Sequence, residues 1–195
     1  MSDKINKGLK LKTIILILIV SATLFGLNIG GVKMPDKITV ADKELILNGA
    51  GVRERFFLDL YVGGLYLIKK NTDANKVMNA DETMSIKLHI ISTLITSKKM
   101  KNAVEEGFEN STNDNTSPLR KKIDRFIAVF KEEIKENDIY DITYIPEKGV
   151  EVYKNGKLND TIEGLDFKKA LWGIWFCDKP AQKSLKDNML GKQVR

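Results

Sequence analysis

The sequence holds one cysteine, one histidine and four prolines in 195 residues. A lone cysteine, Cys177, excludes an intramolecular disulfide and any cysteine-based zinc cluster. The lone histidine, His89, leaves no histidine pair for a metal and no Ser-His-Asp triad unless His89 itself serves in one. Neither a metal nor another cofactor is expected. A real excess of one charge sign is missing too. The formal net charge is +6, but Lys4, Lys7, Lys10 and Lys12 precede residue 13, and from Val32 onward 28 basic residues stand against 25 acidic ones. These charges interleave, as in Lys131-Glu132-Glu133, which is how a solvated helix face reads, so no nucleic-acid partner is expected. What remains is a chemistry of Arg, Lys, Tyr and carboxylates, or no chemistry.

With 43% hydrophobic and 30% charged residues the chain is neither disordered nor polytopic. Long apolar runs are scarce as well. The one from Thr13 to Leu27 follows the four lysines as an apolar h-region follows a basic n-region, and its 15 residues fall short of the ~20 that a spanning helix needs. Residues 1–31 are therefore assigned to a signal peptide or N-terminal membrane anchor, and residues 32–195 to one domain outside the cytoplasm. That domain is periplasmic or secreted, or is held at the outer face of the inner membrane by residues 13–27.

Lys37 to Leu47 reads as one or two short strands ending in the turn cluster Asn48-Gly49-Ala50-Gly51. The glycines also resemble the start of a dinucleotide fingerprint, but Glu54 stands where its third glycine belongs and strand-favouring residues follow. Val52–Phe57 and Leu58–Ile68 read as strands, with Gly63-Gly64 marking a bend, a bulge or a close approach of another backbone. Met84, Ile86, Leu88 and Ile90 give a later strand one apolar face, leaving His89 on the polar one. Met100, Ala103, Val104, Gly107 and Phe108 form the stripe of a helix over Thr96–Glu109. A second helix is predicted from Pro118 to Ile134, with Ser117 as its N-cap. Strands at Asp138–Ile145, Val150–Lys154 and Lys157–Ile162 include an Asn155-Gly156 hairpin turn, and helices at Asp166–Trp175 and Ala181–Leu190 close the chain. Strands, a helix pair, strands, then helices predict an α+β domain with a largely antiparallel sheet.

Four patches in order resemble the chalcone isomerase-like family: Gly49-Ala50-Gly51-Val52-Arg53, Val62-Gly63-Gly64-Leu65-Tyr66-Leu67, Thr96-Ser97-Lys98-Lys99, and Leu171-Trp172-Gly173 with Lys179-Pro180-Ala181-Gln182-Lys183-Ser184-Leu185. The resemblance implies that family's open-faced β-sandwich, a large antiparallel sheet with a layer of helices on one face. It implies two kinds of activity. The plant isomerases close a chalcone by phenolate attack on an enone, which needs cations and hydroxyls around a developing enolate. Of their polar set this chain keeps the arginine as Arg53. Tyr61 takes the strand threonine's place, while Met100, Ala103 and Gly107 take those of the helix tyrosine, lysine and asparagine, and Ala170 that of the late hydroxyl.

The non-catalytic, fatty-acid-binding members resemble the chain more in keeping an arginine and a strand-end tyrosine, matched by Arg53 and Tyr66. A guanidinium grips a carboxylate through two parallel hydrogen bonds and a phenol adds a third. The resemblance thus implies a fatty acid or similar apolar carboxylate held by Arg53 and Tyr66, with Tyr61 nearby and Met100, Ala103, Val104 and Phe108 along the tail. Arg53 paired with an acid such as Asp59, and Tyr66 as a core tyrosine, is the plainer reading of the same residues. Two alternatives stay open: an isomerase (intramolecular lyase) built on Arg53, Tyr61 and Tyr66 with Lys98 or Lys99, and an envelope interaction module with a vestigial pocket.

Overall fold

The alternating segment Met84–Ile90 becomes the middle strand of a seven-stranded antiparallel sheet. The computed structural model describes residues 26–192, so the lysines at 4–12 and most of the apolar run lie outside the described residues. Within it, β1 (Gly26–Ile29) and β2 (Val32–Pro35) form a separate hairpin. The sheet runs in sequence order through β3 (Lys37–Val40), β4 (Lys43–Arg55), β5 (Leu58–Leu67), β6 (Met84–Ile90), β7 (Ile139–Ile145), β8 (Gly149–Lys154) and β9 (Lys157–Ile162). Helices α1 (Ala74–Asn79), α2 (Ser97–Thr112), α3 (Arg120–Ala128), α4 (Leu165–Phe176) and α5 (Lys183–Met189) complete it. Among the described residues no helix is long and apolar enough to cross a membrane.

The helices bury the main core against one face of the sheet, where Leu65, Ile86, Leu88, Ile142 and Val152 meet Phe108, Phe126, Phe167 and Trp172. On the other face the β1–β2 hairpin covers a smaller cluster: Met34, Leu45, Leu47, Ala50, Val62 and Tyr66. Residues of β3 and β8, far apart in strand order, line one shared cavity, so the sheet is curled. The α+β architecture with helices on one face is the one the sequence predicts. The first strand starts at Gly26, inside the stretch 1–31 assigned to export.

Two expectations are corrected. The cluster Asn48-Gly49-Ala50-Gly51 is not a turn between strands, because β4 runs through it with a register shift at Leu47/Gly49. The reason is tertiary. A Cβ on Gly49 would lie 2.1 Å from the Asn188 carbonyl oxygen, so only a bare backbone lets α5 lie on β4. Asn48 uses its amide to hold this arrangement, donating to the Asn71 and Met189 carbonyls at 3.0 and 2.9 Å and accepting from Asn71 N at 2.8 Å. The helix expected to Ile134 begins as a single 3-10 turn, Ser117–Leu119, without a side-chain cap, and α3 ends at Ala128. There Val129 and Phe130 donate to carbonyls three residues back, tightening the last turn. Phe130 and Ile134 are still buried, but from irregular chain. At α2 the start is as the sequence predicts, with Thr96 Oγ1 accepting from Lys99 N at 3.2 Å.

Candidate functional site

Arg53 stands opposite Tyr61 in the β4–β5 ladder, on the face that the helices cover. Arg53 is half-buried as a residue, and its Nη1 donates to the Glu54 carbonyl and, at 3.2 Å, to Gln182 Oε1. Gln182 Oε1 also accepts from Glu54 N at 2.8 Å, which fastens the chain just before α5 to the end of β4. No carboxylate of the described residues pairs with Arg53. Asp59, the acid considered as its partner, is exposed and faces Glu54 in the ladder instead. Tyr61 is buried, and its hydroxyl accepts from Trp175 Nε1 at 3.1 Å. Burial pushes the phenol above its ordinary pKa, while the Trp175 hydrogen bond and the Arg53 charge pull the other way. The result is a neutral phenol beside an arginine that lacks an anion.

Tyr66 is not part of this group. It lies five residues further along β5 on the opposite face, fully buried in the hairpin-covered cluster, and its hydroxyl donates to the Pro35 carbonyl at 2.9 Å. Arg53 and Tyr66 therefore do not converge in this structure, and the second polar group beside Arg53 is Tyr61. Met100, Val104 and Phe108 are buried on α2 in the same apolar cluster as Tyr61, with Ala103 half-buried beside them. Phe108 packs against Phe126 and Phe167 at 6.0 and 5.8 Å between ring centroids. A Cβ on Gly107 would lie 2.8 Å from Ile174, so α2 and α4 are in close contact here. Lys98 and Lys99 are exposed at the start of α2, and His89 sits on the polar face, 3.4 Å from Asn137 Oδ1.

Sequence reasoning did not assign Trp175 or Gln182 to the site. Trp175 reads as one more core aromatic. Gln182 belongs to a patch that carries the family resemblance, so a signal was present without a role attached to it.

A cavity of about 500 Å³ lies elsewhere, on the helix-free face, between β3 and the polar sides of β6, β7 and β8. Its charges are already compensated: Lys87 pairs with Asp141, Lys148 with Glu151 at 2.5 Å, and Tyr153 Oη donates to Glu151 at 2.9 Å. Such self-paired groups make a weaker claim on a ligand than an arginine without a carboxylate.

The family model described as chalcone isomerase-like matches residues 26–191. A solved structure of a fatty-acid binding protein from Arabidopsis thaliana is similar with a TM-score of 0.65 at 18% identity, over 82% of this chain and 92% of that one. At that identity the likeness is one of fold. No curated protein matches the sequence.

Proposed function

We propose that this chain, which belongs to the chalcone isomerase-like family, binds a fatty acid or similar apolar carboxylate without chemistry, Arg53 holding the head group. The observation that carries the reading is the half-buried Arg53 with no carboxylate partner among the described residues. Buried charges are ordinarily paired, and an anionic ligand supplies the missing partner. Nη1 carries both protein hydrogen bonds, which leaves the Nε–H and Nη2–H donors for an incoming carboxylate. The Arabidopsis protein of this fold that is named for fatty-acid binding supports the ligand class.

The acyl chain runs toward the α2 side of the core, by Met100, Ala103 and Val104, where each methylene taken from water gains ~0.8 kcal/mol. An enolate in that place would face Met100 and Ala103 rather than cations and hydroxyls, which argues for binding over isomerisation. The basic-then-apolar segment at 4–27 supports a place outside the cytoplasm. The test is mass spectrometry of small molecules extracted from native protein. Carboxylic acids should accompany wild type and be depleted in Arg53→Ala, whereas equal loads in both would remove Arg53 from the head-group role.

A further inference from the structure

Four two-residue hairpin turns among the described residues share the same left-handed backbone, and one of them carries the wrong residues for it. Gly30-Gly31 joins β1 to β2, Ala41-Asp42 joins β3 to β4, and Asn155-Gly156 joins β8 to β9, each pair at positive φ. Small or polar residues suit that geometry, in which a bulky side chain is strained. The β4–β5 turn places Phe56 and Phe57 there, at φ 51° and 62°. Both rings point away from the protein, 80% and 105% exposed. Neither local conformation nor packing explains two phenylalanines at this tip.

The surroundings say what would. Leu58 is exposed beside the tip. The segment after β6 leaves the sheet at the same end, since Ile91 N donates to Leu60 O, and it exposes Leu94. Cations rim this end. Arg55 lies 5.5 Å over the Phe56 ring, Lys99 donates to the Leu94 carbonyl at 3.1 Å, Lys98 adjoins it, and Lys183 follows the Gln182 that is bound to Arg53. All four are exposed, against the exposed acids Glu54 and Asp59. Two rings and two leucines fall short of the ~800 Å² that a stable protein interface buries on each partner. They suffice for a wedge at a membrane surface, where aromatic rings settle among the headgroups and nearby Lys and Arg meet anionic lipid.

We propose that the β4–β5 hairpin tip docks on a bilayer containing anionic lipid, inserting Phe56, Phe57 and Leu58 while Arg55, Lys98, Lys99 and Lys183 meet the headgroups. The contact is distinct from any made through residues 13–27 and does not depend on Arg53 binding a carboxylate. The test uses the full chain carrying Phe57→Trp, mixed with phosphatidylcholine vesicles with or without phosphatidylglycerol, their acyl chains brominated near the headgroup. Trp172 and Trp175 are buried, so the added signal reports the tip whatever else holds the protein to the vesicle. The new indole's emission should shift to the blue and be quenched in the anionic vesicles, and adding Arg55→Glu, Lys98→Glu and Lys99→Glu should abolish both effects. Emission unchanged by brominated lipid would overturn the proposal, as would equal quenching in vesicles of phosphatidylcholine alone. A blue shift that grows with protein concentration in the absence of vesicles would do so too, by making a second copy the occupant.

Discussion

Arg53 faces Tyr61 across the β4–β5 ladder, whereas Tyr66, the tyrosine that the family resemblance pairs with it, is bonded to Pro35 on the other side of the sheet. A register shift between Arg53 and Glu54 causes the separation. Counting from the two-residue turn, an unbroken ladder would set Arg53 against Leu60, and hence on the side of Tyr66. The extra residue moves its partner to Tyr61 and reverses the face.

The two tyrosines should therefore respond differently to loss of their hydroxyls. Tyr66→Phe removes one hydrogen bond to a backbone carbonyl and should cost about 1 kcal/mol of stability, leaving any bound carboxylate in place. Tyr61→Phe strands the buried Trp175 Nε1–H, costs about 1–3 kcal/mol, and weakens carboxylate binding. Urea melts with parallel ligand titrations separate the two; equal ligand loss in both variants would restore Tyr66 to the site.

Much of the fold is legible because burial imposes a period on the residues. Met84, Ile86, Leu88 and Ile90 alternate since one face of β6 meets the helices, and the Met100 to Phe108 stripe follows from the buried side of α2. The Asn48–Gly51 cluster misleads because asparagine and glycine mark turns locally, while here they serve a helix from the far end of the chain. Arg53 can be read from its motif. Its neighbours cannot, because one bulge sets the face, and Trp175 and Gln182 arrive from more than 100 residues away.

Gly49→Ala tests the close approach of α5. The added carbon meets the Asn188 carbonyl oxygen at 2.1 Å and further backbone at 2.9 and 3.0 Å, with no flexible side chain to yield. The variant should lose about 1–3 kcal/mol in denaturant melts and expose α5 to limited proteolysis.

Lys168 is fully buried, and its ammonium donates to the carbonyls of Val77, Met78 and Ala80 at 2.8, 2.9 and 2.8 Å, capping the end of α1. Lys168→Met keeps the apolar stem and strands three acceptors. A loss of about 3 kcal/mol is expected, with faster amide exchange in α1 ahead of the sheet.

Burial alone would raise the Asp138 carboxyl, but the Lys135 N–H, the Asn155 amide and the Lys154 ammonium outweigh it and hold the group below the usual carboxylate range. The stability this provides is present above the unfolded value, near pH 4, and is lost as pH falls through the lower folded value. Asp138→Asn should be less stable than wild type at pH 7, and the gap should shrink below about pH 4 in urea melts. A gap constant from pH 7 to pH 3 would contradict the assignment.

The head-group claim is tested most directly by calorimetric titration of the full chain with palmitate and with hexadecanol, which share a tail and differ in the group offered to Arg53. A charge-assisted hydrogen bond contributes about 1.5–3 kcal/mol, so wild type should prefer the acid by roughly 10- to 100-fold and Arg53→Ala should lose that preference. Equal affinity of wild type for acid and alcohol, or a preference that survives Arg53→Ala, would contradict the account.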